Sequence, residues 1–352
     1  MTYNQITKRL LSWYDSYDRE MPWRGEIDPY KIWISEIMLQ QTQVTTVRDY
    51  YLRWIKRFPT IQSVSKSSID EILKYWEGLG YYSRARNFYE SCKMLDNQDS
   101  KVPEGVEEFQ KLKGVGPYIA AAVQSIAFHI PVGVVDGNVN RVVSRFYAYK
   151  ETPAKNKKKI NEFMSLVINK KRPGDINQAM MDLGRYVCKP SNPLCNECPI
   201  SKECKALEFG IQSDLPVKVQ RAKKPHYDVA VGIIWNQSKL LITKRKEEGL
   251  LGGLWEFPGG KIEKNETVKS AIKREIQEEL SIKIKPESLI HQVDHHYSHF
   301  SVTINAIQCQ YNGDKIKLNG PTNFKWIHTS QLDSYAFPKA SIKLFTVIEN
   351  LQ

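Results

Sequence analysis

The sequence predicts two domains in tandem, a mostly α-helical one followed by an α/β or α+β one, and three observations carry that prediction. The chain has 352 residues, whereas a single core usually stops growing near ~250–300 residues. From residue 3 to about 209 the apolar residues recur at helical spacing, as in Ile32, Trp33, Ile37 and Met38 and then Val47, Tyr51, Trp54 and Ile55. After Pro225 the texture changes to strand-like runs at 229–234 and 240–242, a helical stretch at 267–280, and further strand-like runs.

Composition narrows the class. With 41% hydrophobic and 26% charged residues the chain can bury a core, so disorder is excluded. The apolar stretch 118–135 is interrupted by Gln124, His129 and Pro131 and falls short of a membrane span. Lys8, Arg9, Asp15, Asp18, Arg19 and Glu20 leave no room for a secretory signal, so a cytoplasmic protein with no membrane partner is expected. The net charge is +12 and is uneven: residues 1–224 carry 35 basic and 25 acidic side chains, the remainder 16 and 14. A basic first domain attracts phosphate backbones by releasing their counterions, although many basic proteins bind no nucleic acid.

Taken in order, Asp28-Pro29 offers an N-cap and a first-turn proline, so a helix starts there and carries Glu36 in its second or third turn. The run 112–117, Leu-Lys-Gly-Val-Gly-Pro, is a tight turn opening a helix at Tyr118. Gly114 and Gly116 would let backbone N–H groups approach one phosphate, or they simply make a helix–helix corner. Twenty residues past Gly116 stands Asp136 in a glycine-bearing turn, where it would also serve as an N-cap. Cys188, Cys195, Cys198 and Cys204 fall within 17 residues, a density that points to a metal site rather than disulfides, with zinc and an iron–sulfur cluster both open. Cys92 and Cys309 read as buried small apolar residues. Residues 211–225, with Pro216, Lys218, Arg221, Lys223, Lys224 and Pro225, read as a linker. Beyond it, Val268, Ile272, Ile276 and Leu280 form an apolar stripe, and Glu275, Glu278 and Glu279 share another face. Three such carboxylates either hold Mg²⁺ and activate water or form a solvated acidic face.

The glycine turn, the aspartate after it and the C-x6-C-x2-C-x5-C loop together resemble the helix-hairpin-helix DNA glycosylases that carry an iron–sulfur cluster. Within that superfamily the runs 35–44 (SEIMLQQTQV), 78–82 (GLGYY) and 177–184 (NQAMMDLG) resemble the MutY branch, the adenine DNA glycosylases. The resemblance implies an all-α helix-hairpin-helix glycosylase domain at 1–210 with a [4Fe-4S] loop at 188–204. Its partner is double-stranded DNA containing adenine opposite 8-oxoguanine, and a monomer is the default. Glu36 is implied as general acid toward N7 of adenine and Asp136 as stabiliser or transient nucleophile at C1′. Asn138 would orient Asp136 and Tyr118 would assist. Strand-cutting relatives carry a lysine at the position of Tyr118, and a phenol cannot form their imine. Trp23, Arg24 and Gln178 match positions around the extruded adenine, Gln41, Leu79 and Tyr81 match the wedge that fills the gap, and Gly114 and Gly116 match the DNA-backbone hairpin.

Residues 226–352 resemble a Nudix domain through Gly260, Glu266, Arg274-Glu275-Ile276 and Glu278-Glu279, with Ser281 where the box ends in glycine. Tyr297, Ser298 and His299 resemble the family's Phe-Ser-His loop, which implies contact with 8-oxoguanine. His291, His295 and His296 read as surface hydrogen-bonders. The acidic residues are largely intact, so Mg²⁺ and hydrolysis enter only if the box is active. The chemistry suits the residues: cleaving a purine N-glycosidic bond needs a proton donor to the base and an anion beside the oxocarbenium-like sugar, two tasks that two carboxyls in different environments divide. Glu36, between Trp33, Ile34, Ile37 and Met38 in sequence, is placed to stay protonated. Three competing functions remain: a glycosylase/lyase for another damaged base, a Nudix hydrolase of oxidised nucleotides with a DNA-binding domain, and a noncatalytic lesion-binding protein.

Overall fold

The computed structural model describes residues 2–16, 20–217 and 224–351. Asp18 and Arg19 of the leader argument, and Lys218, Arg221 and Lys223 of the expected linker, lie outside the described residues. In chain order the helices are α1 (Tyr3–Asp15), α2 (Pro29–Leu39), α3 (Val44–Arg57), α4 (Ile61–Ser65), α5 (Ile69–Trp76), α6 (Ser83–Asp96), α7 (Val106–Gln110), α8 (Pro117–Ala127), α9 (Gly137–Phe146), α10 (Lys157–Val167), α11 (Pro173–Asp182), α12 (Lys205–Glu208), α13 (Val268–Leu280), α14 (Lys339–Ile342) and α15 (Phe345–Glu349). Seven strands follow α12: β1 (His226–Asn236), β2 (Lys239–Lys244), β3 (Trp255–Glu256), β4 (Gly259–Lys261), β5 (Ile284–His296), β6 (Ser301–Tyr311) and β7 (Asn323–Ile327). No helix among the described residues is long and apolar enough to cross a membrane.

The chain divides into two compact units, Met1–Lys66 with Glu90–Arg221, and Ser67–Tyr89 with Ala222–Gln352. The expected break near 211–225 is therefore joined by a second exchange. Residues 67–89, carrying α5 and the Gly78–Tyr82 turn, group with the sheet-containing unit instead of the helical one.

In the helical unit a continuous core runs from Leu10 of α1 through Val139 and Val143 of α9, Phe163 and Met164 of α10 to Met180 of α11. The predicted helix starts are realised: Asp28 accepts the Tyr30 N–H at 2.9 Å with Pro29 in the first turn, and Asp136 accepts the Val139 N–H at 2.7 Å. α11 runs into a wide π-type turn, Leu183–Val187, whose last hydrogen bond reaches from Cys188 N to Leu183 O, 2.7 Å. Such turns cluster at functional sites because they re-aim the residues after them.

In the other unit the seven strands form one mixed sheet of path β3-β2-β1-β6-β5, with β4 added to β1 and β7 to β2. β1 and β6 are parallel, and the other pairs are antiparallel. The stripe Ile272, Ile276 and Leu280 lies buried against one sheet face together with Ala271, and Val268 is half-buried at the helix start. α14 and α15 pack on the opposite face around Phe257, Phe337 and Phe345. Ser281 ends α13 at φ 56°, a left-handed backbone that costs a β-carbon-bearing residue, which explains why glycine ends the box. Gly260 is required differently, since a Cβ there would stand 2.2 Å from the Glu275 carboxyl carbon.

Candidate active site

Glu36 sits inside α2 with its neighbours Trp33, Ile34 and Met38 fully buried, and is itself only 5% exposed. Burial without a full set of hydrogen-bond donors disfavours the carboxylate and pushes its pKa above the ordinary value. The Tyr118 hydroxyl pulls the other way by donating to Glu36 Oε2 at 2.6 Å, as does the charge of Arg24. The phenol of Tyr118 is pushed well up by burial and by Glu36, so it stays a donor.

Asp136 caps α9, and both of its oxygens are committed: Oδ1 accepts the Val139 N–H and Oδ2 accepts from Asn138 Nδ2 at 2.8 Å. Its charge is felt by both Glu36 and Tyr118, so the structure brings the two candidate carboxyls and Tyr118 into one electrostatic group. Arg141 extends the network, donating to Asn138 Oδ1 at 2.8 Å, Gly184 O at 2.7 Å and Cys188 O at 2.8 Å. Gly184 makes this approach possible, because a Cβ there would fall 2.5 Å from Asn138 Cβ.

Arg24 and Gln178 meet as neighbours, with Arg24 Nη1 donating to Gln178 Oε1. Their connection depends on Asp182, which the sequence reasoning passed over. Fully buried, it takes a two-pronged ion pair from Arg24 Nη2 at 2.9 and 2.8 Å. The signal was available: Asp182 follows Gln178 by four residues on α11, hence on the same face. The clamp leaves one buried guanidinium N–H, at Arg24 Nε, without a partner among the described residues. Trp23 is buried and meets Tyr51 edge-on at 5.5 Å.

The hairpin forms as expected between α7 and α8, with Gly114 at φ 77° and Gly116 as the N-cap of α8. Gln41 is exposed at φ 56° just past α2. Leu79 is not offered to solvent: it is 6% exposed and packed inside. Tyr81, at φ 48°, is half-buried, and its hydroxyl lies 3.4 Å from His299 Nε2 with the rings edge-on at 5.8 Å. Tyr297 stacks on Phe300 at 4.6 Å, and its N–H closes the loop on Phe300 O, leaving Ser298 and His299 exposed at the tip.

The four clustered cysteines are free thiols around one pocket with Val142, Phe146 and Ile200. Arg145, almost wholly buried, donates to Cys188 Sγ at 3.4 Å and to Lys189 O, Pro190 O and Leu215 O. Burial and the neighbouring sulfurs push Cys198 up to about 12 and raise Cys195 and Cys204. Among the described residues no three His, Cys, Asp or Glu side chains converge tightly enough to hold one metal ion. The donor set, four thiol sulfurs lining one apolar pocket, has the chemistry of a soft-metal site. Cys92 and Cys309 are buried, as expected.

Glu275, Glu278 and Glu279 share a helix face, as their spacing requires, but do not gather around a common point. Arg274 engages Glu275 at 2.9 Å and Glu278 at 3.2 Å, as well as Glu266. Glu279 is turned inward, its pKa raised to about 8 by burial with Glu256 and Glu275 beside it.

Both units match known family models. Residues 34–170 match the model of the HhH-GPD superfamily of base excision DNA repair proteins, and residues 230–347 match the NUDIX domain model. An adenine DNA glycosylase of Buchnera aphidicola is 33% identical over 99% of this chain and 98% of its own. The human adenine DNA glycosylase is 32% identical over 97% of this chain and 74% of its own. The Arabidopsis thaliana one is 38% identical over 77% of this chain, which spans only about half (49%) of that relative's length. Among solved structures, a thermostable thymine-DNA glycosylase aligns with TM-score 0.54 and 28% identity, covering 59% of this chain and 97% of its own. On this combination of site, domain matches and end-to-end relatives, the chain belongs to the adenine DNA glycosylases.

Proposed function

We propose that this chain is a monofunctional glycosylase that excises adenine paired with 8-oxoguanine, acting as a cytoplasmic monomer. The reading is supported by a buried Glu36 whose pKa is raised by burial, bonded to Tyr118, with the charge of Asp136 close enough to act on both. Adenine turned out of the duplex would rest among Trp23, Arg24 and Gln178, with Arg24 Nε free to donate to it. Glu36 would deliver its proton to N7, so the base leaves neutral while positive charge builds on the sugar. Asp136, held by Val139 N–H and Asn138, would stabilise that charge or bond transiently to C1′ before water replaces it. Tyr118 holds the acid and supplies no amine, so the strand is left uncut. Gln41, Leu79 and Tyr81 would fill the vacated stack, which requires Leu79 to leave its buried position. Gly114 and Gly116 would take a backbone phosphate. Tyr297, Ser298 and His299 would read the oxidised guanine, supported by the exposure of Ser298 and His299 and by the contact of His299 with Tyr81.

Cys188, Cys195, Cys198 and Cys204 would hold a [4Fe-4S] cluster, which when bound supplies a rigid cross-link for the loop rather than a step of the excision. By sequence the glycosylase domain would be 1–210, the linker 211–225 and the 8-oxoguanine reader 226–352, with 67–89 packing in the sheet-containing unit. The test is single-turnover incubation with a duplex containing adenine opposite 8-oxoguanine, followed by alkaline cleavage. Glu36→Gln is expected to slow excision by ~10²–10⁴-fold, the usual worth of a positioned acid, with Asp136→Asn comparably impaired. Full rates in either variant would overturn the assigned roles, and a borohydride-trapped adduct would overturn the monofunctional assignment.

A further inference from the structure

A second cavity opens in the helical unit. It encloses about 360 Å³ between Pro117, Tyr118, Val135, Asn140, Lys157 and Asn161, inside the ~300–1,000 Å³ range of ligand sites. Tyr118 is the residue bonded to Glu36, and Val135 adjoins Asp136 in the chain. An occupant of this cleft therefore lies against α8, whose Tyr118 is bonded to Glu36, and against α9, which Asp136 caps.

Its chemistry is one-sided. Among the described residues no acidic side chain lines it. Lys157 opens α10, and Asn161, four residues on, shares its face. Asn140 belongs to the start of α9, just past the Asp136 cap. Among the described residues, the side chains of Asn140, Lys157 and Asn161 have no hydrogen-bond or ion-pair partner, whereas nearby Lys155 is paired with Glu151 at 3.5 Å. One uncommitted ammonium and two uncommitted amides converge on a cleft big enough for a sugar–phosphate unit. Lysine and asparagine are among the side chains that contact DNA phosphates, contacts that set register and ignore sequence.

We propose that this cleft is a second backbone subsite, seating a phosphodiester of the strand that carries the target adenine. Lys157 supplies the charge and the amides of Asn140 and Asn161 supply N–H donors. The assignment rests on the chain being a DNA glycosylase, and it adds to the hairpin at Gly114 and Gly116 a contact on the other flank of Tyr118. With two anchored phosphates the strand would be held in register across the reacting carboxyls before any base is read.

The experiment is equilibrium binding of the full-length chain to target and fully paired duplexes across a salt series, with single-turnover excision at saturating enzyme measured alongside. Each phosphate neutralised contributes about 0.9 to the slope of log K against log salt. Lys157→Ala is expected to lower that slope by about 1, to weaken both duplexes by the same factor, and to leave the saturated excision rate unchanged. Asn140→Ala and Asn161→Ala are expected to weaken binding a few-fold with the slope intact, because no charge is lost. Lys158→Ala, one residue along and outside the cleft, serves as the control for general attraction. The proposal fails if Lys157→Ala leaves the slope unchanged, or if Lys158→Ala changes it as much. Binding does not require chemistry, so the two ideas separate. A chain that shows the slope change but releases no adenine keeps the cleft and loses the glycosylase reading. One that excises adenine with an unchanged slope does the reverse.

Discussion

Tyr118 is the residue through which the proposed acid, Glu36, can be tuned. Its hydroxyl donates to Glu36 and so favours the ionised carboxylate. Removing that donor in Tyr118→Phe should raise the Glu36 pKa further, and the alkaline limb of the pH–rate profile for excision should move to higher pH. A limb that stays in place or moves to lower pH would contradict the hydrogen bond's role. Asp182→Asn should cost stability on the order of 3–5 kcal/mol, because a buried guanidinium then loses its counter-charge, and should weaken adenine release through Arg24. Chemical denaturation and single-turnover kinetics check the two effects. Glu36, Asp136 and Arg24 were singled out by the family resemblance, because a capped helix and a glycine turn before an acid, taken alone, read equally well as an ordinary surface glutamate and an N-cap. Asp182 and Arg141 were not, because a residue that acts through another leaves no motif of its own. The burial of Leu79 escaped for a different reason, since a Gly-Leu-Gly-Tyr turn does not encode which way its leucine faces.

At the scale of elements, the close approach of the π-type turn to α9 is set by a missing side chain at Gly184. Gly184→Ala must push the turn and Asn138 apart, a change of the overpacking kind that costs ~1–3 kcal/mol. Excision should fall with stability, because Arg141 spans the same gap to Asn138 and Cys188. A variant with unchanged melting and unchanged rate would show that the contact is slack. In the other unit, Glu77 accepts the Phe337 N–H at 2.8 Å, and Lys74 bridges Glu77 and Tyr335 O. Glu77→Ala strands that backbone N–H and should lower stability by ~1–3 kcal/mol, read as a drop in the midpoint of thermal unfolding. The helices were legible because their apolar period is local. The parallel pairing of β1 with β6, the two- and three-residue strands β3 and β4, and the transfer of residues 67–89 to the sheet unit were not, because each depends on partners distant in sequence.

For the whole molecule, charge sets two expectations. The excess of basic residues before residue 225 predicts affinity for DNA that falls steeply with salt. Glu279 bears on stability: its folded pKa, about 8, lies above its ordinary 4.5. Between those values the folded chain keeps a proton that the unfolded chain has released, so stability drops as pH rises through that window. Glu279→Gln should flatten this decline, raising the melting temperature at pH 8 more than at pH 5, and equal shifts at both would refute the assignment. One further consequence follows from Asp136, whose carboxylate caps α9 and in the proposed mechanism also faces the reacting sugar. A molecule in which that helix has not formed would have no anion in place, so under that mechanism a half-folded enzyme would be chemically inert. Newly made or heat-damaged copies would cling to chromosomes without stripping bases from them, a safeguard that is written into the backbone and needs no separate inhibitor.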